Sequence, residues 1–223
     1  MAPRPLPDRI AALAALDDPI RRAVYGLVAH SETAVSRDAA AEALGTTRRV
    51  AAFHLDRLAD QGLLAAEYRR PPGRTGPGAG RPAKLYRPVA DELSVSVPPR
   101  HYDLVGEVLA AAVADSLDSG APVQEALDRT AYETGRTAGA AAGTVLGALE
   151  DAGYEPRGDD EDGGLILRNC PFHRLARQFT ALVCGVNLQL LRGVTDGAGD
   201  PGVTAVLDPG PGRCCVRLRP AAR

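Results

Sequence analysis

Apolar side chains in this chain recur at helical spacing in several long runs and crowd together in a few short ones, with Gly, Pro and acidic residues between the runs. Asp17-Asp18-Pro19 has the form of a helix start, an acidic cap followed by Pro in the first turn, where its missing N–H costs nothing. Ile20, Val24, Leu27 and Val28 then repeat every three or four residues. A second, short helix is expected from Ser36 or Arg37, burying Ala40, Ala43 and Leu44 and ending at Gly45, which suits a left-handed C-cap. A third is expected from Thr46 or Thr47 through Val50, Phe53, His54, Leu55 and Leu58 to Gly62. His54, next to Leu55 and one turn after Val50, reads as a packed core residue rather than a ligand.

Helix, tight Gly turn, helix is the helix-turn-helix arrangement. Leu63 to Arg70 and Lys84 to Pro88 read as strands, and Pro71 to Ala83 between them is too rich in Pro and Gly for a helix. With Arg74 and Arg81 in it, that stretch is expected to be the mobile, basic tip of a β-hairpin, the wing of a winged helix. Pro98-Pro99 marks a linker. Beyond it, 102–117 and 122–152 carry amphipathic helical patterns. Gly135, Gly139, Gly143 and Gly147 in the second pattern fall on one helix face, which points to close packing against a neighbouring helix or sheet of the same subunit. The acidic run around Asp159, Asp160, Glu161 and Asp162 reads as a solvated loop, because a calcium loop would alternate its oxygen ligands and close with Glu. Leu165 to Leu167 reads as a strand, Phe172 to Leu191 as a helix, and Val203 to Leu207 with Cys214 to Leu218 as a hairpin. The fold class expected is α+β. The expected divisions are a disordered tail over 1–8, a winged helix-turn-helix over 9–98, and an α+β sensor and dimerisation domain over 99–223.

Charge sharpens this division. The 223 residues sum to −2, yet 36–90 hold ten Arg or Lys against five Asp or Glu, while 101–223 hold eleven against seventeen. A basic segment beside an acidic one suits a DNA-binding unit joined to a unit of another kind. Met1 to Asp8 has no apolar run resembling a signal peptide and no stretch is long enough to cross a bilayer, so a cytoplasmic protein with no membrane partner is expected.

The third helix should enter the major groove of duplex DNA, its first turn reaching base edges through Thr47, Arg48, Arg49 and Ala52. Arg57, farther along, suits a phosphate contact or a surface ion pair. Arg69, Arg70, Arg74, Arg81 and Lys84, the only lysine, would neutralise phosphates or enter the minor groove from the wing. Taken singly, each of these cations is equally a solvated surface charge. The run Gly45-Thr-Thr-Arg-Arg-Val-Ala-Ala-Phe-His-Leu-Asp-Arg-Leu-Ala-Asp-Gln-Gly-Leu-Leu, with Gly80-Arg-Pro-Ala-Lys-Leu-Tyr at the wing, resembles the ArsR-like winged-helix transcriptional regulators over about seventy residues. That resemblance implies a homodimer acting on inverted-repeat operators.

Four cysteines remain. Thirteen residues separate Cys170, in Asn169-Cys-Pro-Phe-His173, from Cys184, and twenty-nine separate Cys184 from Cys214-Cys215. Thiolates are soft ligands for zinc or iron–sulfur clusters, and a helix N-terminus after Cys170 would lower its pKa. On an unbroken helix Cys184 would stand about 21 Å from Cys170, too far for one small site. Either a loop folds Cys170 back or the cysteines do not share a metal. Adjacent cysteines on a strand point to opposite faces, so at most one of Cys214 and Cys215 should join a site. The arrangement resembles the Suf-operon repressor family, whose C-terminal domain holds an iron–sulfur cluster on three spaced cysteines. The resemblance implies a 4Fe-4S cluster on Cys170, Cys184 and Cys214 or Cys215, with His173 a candidate fourth ligand, and DNA affinity that reports iron or redox status. The competing readings are a zinc site, a small-molecule effector site, buried structural thiols, and a Cys170–His173 nucleophile–base pair in an enzyme, which no other motif accompanies. A non-enzymatic repressor is the expected function.

Overall fold

A computed structural model describes residues 5–69, 82–89, 93–160 and 162–221. The chain divides into two compact units, Met1–Val95 and Ser96–Arg223. The division falls just ahead of the Pro98-Pro99 pair.

The first unit contains α1 (Leu6–Ala15), α2 (Pro19–Ala29), β1 (Val35–Ser36), α3 (Arg37–Ala43), α4 (Arg48–Asp60), β2 (Leu64–Arg69) and β3 (Ala83–Pro88). The helix α1 begins inside the stretch expected to be a disordered tail, with Pro in its first turn and Ala12 and Ala15 buried. Three helices start where a side-chain oxygen satisfies a backbone N–H left free by helix geometry. Asp18 accepts from Arg21 N at 2.8 Å, Ser36 from Ala39 N at 3.1 Å and Thr47 from Val50 N at 3.3 Å. Gly45, at φ 58°, turns the chain from α3 into α4. On α3 Ala40 and Ala41 are buried and Leu44 packs half-buried against the core, while Ala43 is exposed. The core gathers Val24, Val28, Ala51, Leu55, Leu58, Leu64 and Tyr86. The strands form an antiparallel sheet in the order β1-β3-β2, with Leu64 opposite Pro88 and Arg69 opposite Ala83, which is the wing hairpin.

The second unit contains α5 (Tyr102–Ser119), α6 (Val123–Ala142), α7 (Val145–Asp151), β4 (Pro156–Gly158), β5 (Leu165–Leu167), α8 (His173–Gln178), α9 (Thr180–Gly197), β6 (Val203–Leu207) and β7 (Val216–Pro220). Its sheet is antiparallel in the order β4-β5-β7-β6. The core joins Val105, Leu149, Leu167, Phe172, Leu190, Leu191, Val216 and Leu218. Of the three long helices expected in this unit, 102–117 is continuous as α5, while 122–152 and 172–191 are each broken. Of these two, the first ends at Gly143, φ 70°, and Thr144 caps a new helix by accepting from Gly147 N at 3.1 Å. The second breaks at Phe179 and continues to Gly197. Gly135 and Gly139 meet the backbone of α9 at Leu190 and Val194, and Gly193 and Gly197 meet that of α6 at Tyr132 and Arg136. The glycine face is therefore a seam between two helices of one unit, in which Gly143 and Gly147 take no part.

The acidic turn is less solvated than its composition implies. Asp159 and Asp162 pair with the buried Arg217 of β7 at 2.5 and 2.6 Å, and Asp208 joins at 3.3 Å. Among the described residues no helix is long and apolar enough to cross a membrane.

Candidate functional site

The turn between α3 and α4 orients α4 so that Ala51, His54, Leu55 and Leu58 face inward. The opposite face carries Arg49, Phe53, Asp56, Arg57 and Asp60 at helical spacing. Phe53 is 63% exposed, an aromatic ring on the polar side of the helix, and it meets the buried His54 edge-on at 5.2 Å between centroids. Phe53 was not among the residues expected to read bases. An aromatic one turn beyond Arg49 and opposite Leu55 and Leu58 was the signal that could have found it.

The expected base-reading residues take distinct positions. The Thr47 hydroxyl caps α4, Arg48 pairs with Asp38 of α3 at 2.7 Å, and Ala52 is half-buried. Arg49 and Arg57 are exposed and make no ion pair among the described residues. On the wing, Arg69 is exposed and bonds Glu67 at 2.9 Å. Arg70, Arg74 and Arg81 lie outside the described residues.

Lys84 departs from expectation. Its Nζ lies 2.6 Å from Asp56 Oδ1, the same oxygen that accepts from Tyr86 Oη at 2.6 Å. Arg37 Nη2 reaches Asp56 Oδ2 at 2.6 Å, and Arg37 Nε donates to Tyr86 Oη at 3.0 Å. The Lys84 and Arg37 cations also stand 5.3 and 6.0 Å from the centre of the Tyr86 ring. Lys84 is thus committed to a cluster that locks α3, α4 and β3 together, and its charge is matched before DNA arrives.

Burial opposes ionisation of Asp56, but hydrogen bonds from Lys84, Tyr86 and Arg37 outweigh it and lower its pKa to about 2. A carboxyl with a depressed folded pKa contributes stability above its unfolded pKa, near 4, and loses it as pH falls through about 2. Asp56 is 37% exposed, so solvent screening reduces the contribution to about 1 kcal/mol. Asp56→Asn should cost about that much in the first unit at neutral pH and flatten its acid limb between pH 4 and 2. Urea titrations across that range, with hydrogen exchange read at α4, would sink the assignment if the two acid limbs coincided.

In the second unit the cysteines form two pairs that meet at one dipeptide. Cys184 of α9 is disulfide-bonded to Cys215, with their Cα atoms 6.4 Å apart. Cys170 and Cys214 are free thiols of the same core, Cys170 packing against the cluster to which Cys214 belongs. Cys214 is buried and also accepts from Asn187 Nδ2 at 3.1 Å, while Asn187 Oδ1 accepts from the buried Tyr154 hydroxyl. Cys170 is half-buried. Its pKa falls to about 7 because the Cys214 thiol donates to its sulfur, with burial opposing and the Phe172 N–H and the Arg100 guanidinium assisting. The same contact, together with burial, pushes the Cys214 thiol up. The fall at Cys170 that its place before a helix implied is present, with a neighbouring thiol as the main cause.

His173 is exposed, and the groups that set the ionisation of Cys170 do not include its imidazole. Among the described residues no three His, Cys, Asp or Glu side chains are placed to hold one metal ion. A cluster or zinc needing three or four donors around one centre would require the Cys184–Cys215 bond to be open. The expected set of Cys170, Cys184, one of Cys214 and Cys215, and His173 is not brought together.

The first unit has a known counterpart. Residues 16–66 match a family model described as a helix-turn-helix domain. These residues are a helix-turn-helix domain. The match runs from the start of α2 through α4 into β2, and so contains the whole outward face of α4. No curated protein and no solved structure gives a significant match. The helix-turn-helix is the DNA-binding element of transcriptional regulators, a class that is generally non-enzymatic.

Proposed function

We propose that this protein is a transcriptional repressor that binds an inverted-repeat operator as a homodimer, inserts α4 into the major groove, and answers to the redox state of its cysteines. The observation that carries the DNA reading is the outward face of α4, where Arg49 and Arg57 flank the exposed Phe53 on a helix-turn-helix. Arg supplies two hydrogen bonds to guanine or a charge to phosphate, and an apolar ring suits the thymine methyl. The homodimer is supported by apolar side chains left in the open, Ile10 and Leu13 on α1 and Val113 and Leu117 on α5.

Selection from random duplexes, followed by anisotropy titrations over a range of salt, tests the reading. A preferred site with two-fold symmetry is expected, with affinity falling steeply as salt rises because basic side chains release counterions. Equal affinity for selected and random duplexes at every salt concentration would overturn it.

The iron–sulfur reading of the same cysteines stands second, favoured by the convergence of all four on Cys214-Cys215. It requires the Cys184–Cys215 bond to be open, so that three sulfurs can reach one centre. Anaerobic purification separates the readings. Brown protein with broad visible absorbance, bleached by Cys184→Ser, establishes the cluster; colourless protein with an intact Cys184–Cys215 linkage removes it.

A further inference from the structure

The free thiols sit at a place where a small movement has a route out of the second unit. Cys170 is half-buried and so open to a small reagent, whereas its neighbour Cys214 is buried. Cys214 N donates to the carbonyl of Leu167 at 2.8 Å, three residues before Cys170, and Cys170 packs against the core that contains Cys214. The adjacent Cys215 is tied to α9, which holds Cys214 in place from the side. The Cys170 turn, in contrast, is held by residues at the very start of the unit. Arg100 Nη1 donates to the Cys170 carbonyl at 3.0 Å and to Asn169 Oδ1. Asn169 Nδ2 donates to the carbonyls of Pro99 at 2.9 Å and Gly153 at 2.6 Å, and His101 N donates to the Pro171 carbonyl at 3.3 Å. Arg100 N donates in turn to Ser96 Oγ at 2.7 Å. Ser96 is the first residue of this unit, so the chain leaving the helix-turn-helix runs directly into the clamp around Cys170.

We propose that Cys170 and Cys214 are an oxidisable pair that hydroperoxides close to a disulfide, and that the Arg100–Asn169 clamp carries the resulting shift to residues 96–101. The Cys170 thiolate attacks the hydroperoxide; an S–O bond forms, the O–O bond breaks, and the leaving oxygen departs as an alcohol, or as water when the oxidant is hydrogen peroxide. The Cys214 thiol then gives up its proton and attacks the Cys170 sulfur, forming the S–S bond and releasing the sulfenic oxygen as water. Two thiols are oxidised by two electrons and one peroxide is reduced. A disulfide needs its sulfurs near 2.05 Å, closer than two free thiols can stand, so the Cys170 turn has to move towards Cys214. The carbonyl that Arg100 holds and the side chain of Asn169 move with it. The link to DNA rests on the reading of the chain as a regulator, whereas the disulfide does not.

The test treats the full-length protein, with Cys170 and Cys214 free and the Cys184–Cys215 linkage verified by peptide mapping, with one equivalent of hydrogen peroxide. Peptide mapping, hydrogen exchange and DNA titration follow. A Cys170–Cys214 linkage is expected, with loss of both free thiols, altered exchange at 96–101 and a shift in DNA affinity. Cys214→Ser should stop the reaction at a Cys170 sulfenic acid that dimedone traps, and Cys170→Ser should slow peroxide-driven thiol loss at least tenfold. Mapping on the wild-type chain needs no variant to fold. Unreacted Cys170 and Cys214, or linkage of Cys170 to Cys184 instead, overturns the pair. A correct linkage with unchanged exchange at 96–101, or with the same change in Arg100→Ala, overturns the clamp. If the pair closes and 96–101 respond while neither redox form binds DNA, the regulator reading fails and the disulfide stands.

Discussion

Gly135→Ala and Gly193→Ala should each destabilise the second unit by about 3 kcal/mol, near the upper end of what one methyl costs in a packed interior. A Cβ built on Gly135 falls 1.9 Å from the Leu190 carbonyl oxygen, and one on Gly193 falls 2.0 Å from that of Tyr132. Both obstacles are helix backbone, so no side-chain rotation relieves them. The helices α6 and α9 must move apart, and Leu190, Leu191 and Val194 lose their packing against α6. Gly106→Ala and Gly185→Ala are the controls. Both lie inside helices with nothing within 4 Å of the added carbon, and each should stabilise by about 0.5–1 kcal/mol through helix propensity. Urea titration combined with hydrogen exchange separates the loss in the second unit from an unchanged first unit. If Gly135→Ala behaved like Gly106→Ala, the seam would be wrong.

That seam was legible because four-residue spacing on a helix has one geometric meaning. The spacing alone, however, does not say where the helix stops. Gly143 continues the repeat, yet it serves as a left-handed terminator, and Thr144 beside it is the cap that begins α7. A glycine suits both tasks, and only the neighbouring Thr tells them apart. The break at Phe179 has no such mark, since neither Gly nor Pro punctuates 173–183. It removes the 21 Å objection to a shared cysteine site, which assumed an unbroken helix. The cysteines nevertheless pair two by two. Cys214 and Cys215 lie just ahead of β7 rather than on the strand expected from Cys214 to Leu218, so the opposed faces of a strand do not apply to them, and each has a different partner.

The helix-turn-helix was more legible, because caps and turns are local. Asp18, Ser36, Thr47, Gly45 and Gly62 each act within a few residues of their own position. The Asp56 cluster is the opposite case. An acid on the outward face of a helix reads as a solvated charge, and its partners Arg37, Lys84 and Tyr86 arrive from two other elements. Only the tertiary fold, which sets α3 and β3 beside α4, brings them together. Lys84 therefore reads from sequence as a free wing cation, whereas the structure pairs it with Asp56 at 2.6 Å.

The same distinction orders the substitutions expected to weaken DNA binding. Arg49→Ala with Arg57→Ala should lower operator affinity on the order of 100-fold, since a base-reading Arg is worth about 1–3 kcal/mol and each lost phosphate contact reduces the salt slope by about one. Arg48→Ala should cost much less, because Asp38 already holds that guanidinium at 2.7 Å and the ion pair must be given up before DNA is engaged. Lys84→Ala should act through stability rather than through the salt slope, because its loss leaves Asp56 short of a partner. Phe53→Ala should reduce affinity without changing the salt slope, since an aromatic ring releases no counterion. If Phe53 meets a thymine methyl, replacing that thymine with uracil should weaken wild-type binding by about as much as Phe53→Ala does. Uracil in the Phe53→Ala complex should then cost nothing further, because one contact is not lost twice. Additive losses from the two changes at every thymine of the selected site would show that Phe53 reads no methyl. An unchanged affinity in Arg49→Ala/Arg57→Ala would take α4 out of the groove altogether.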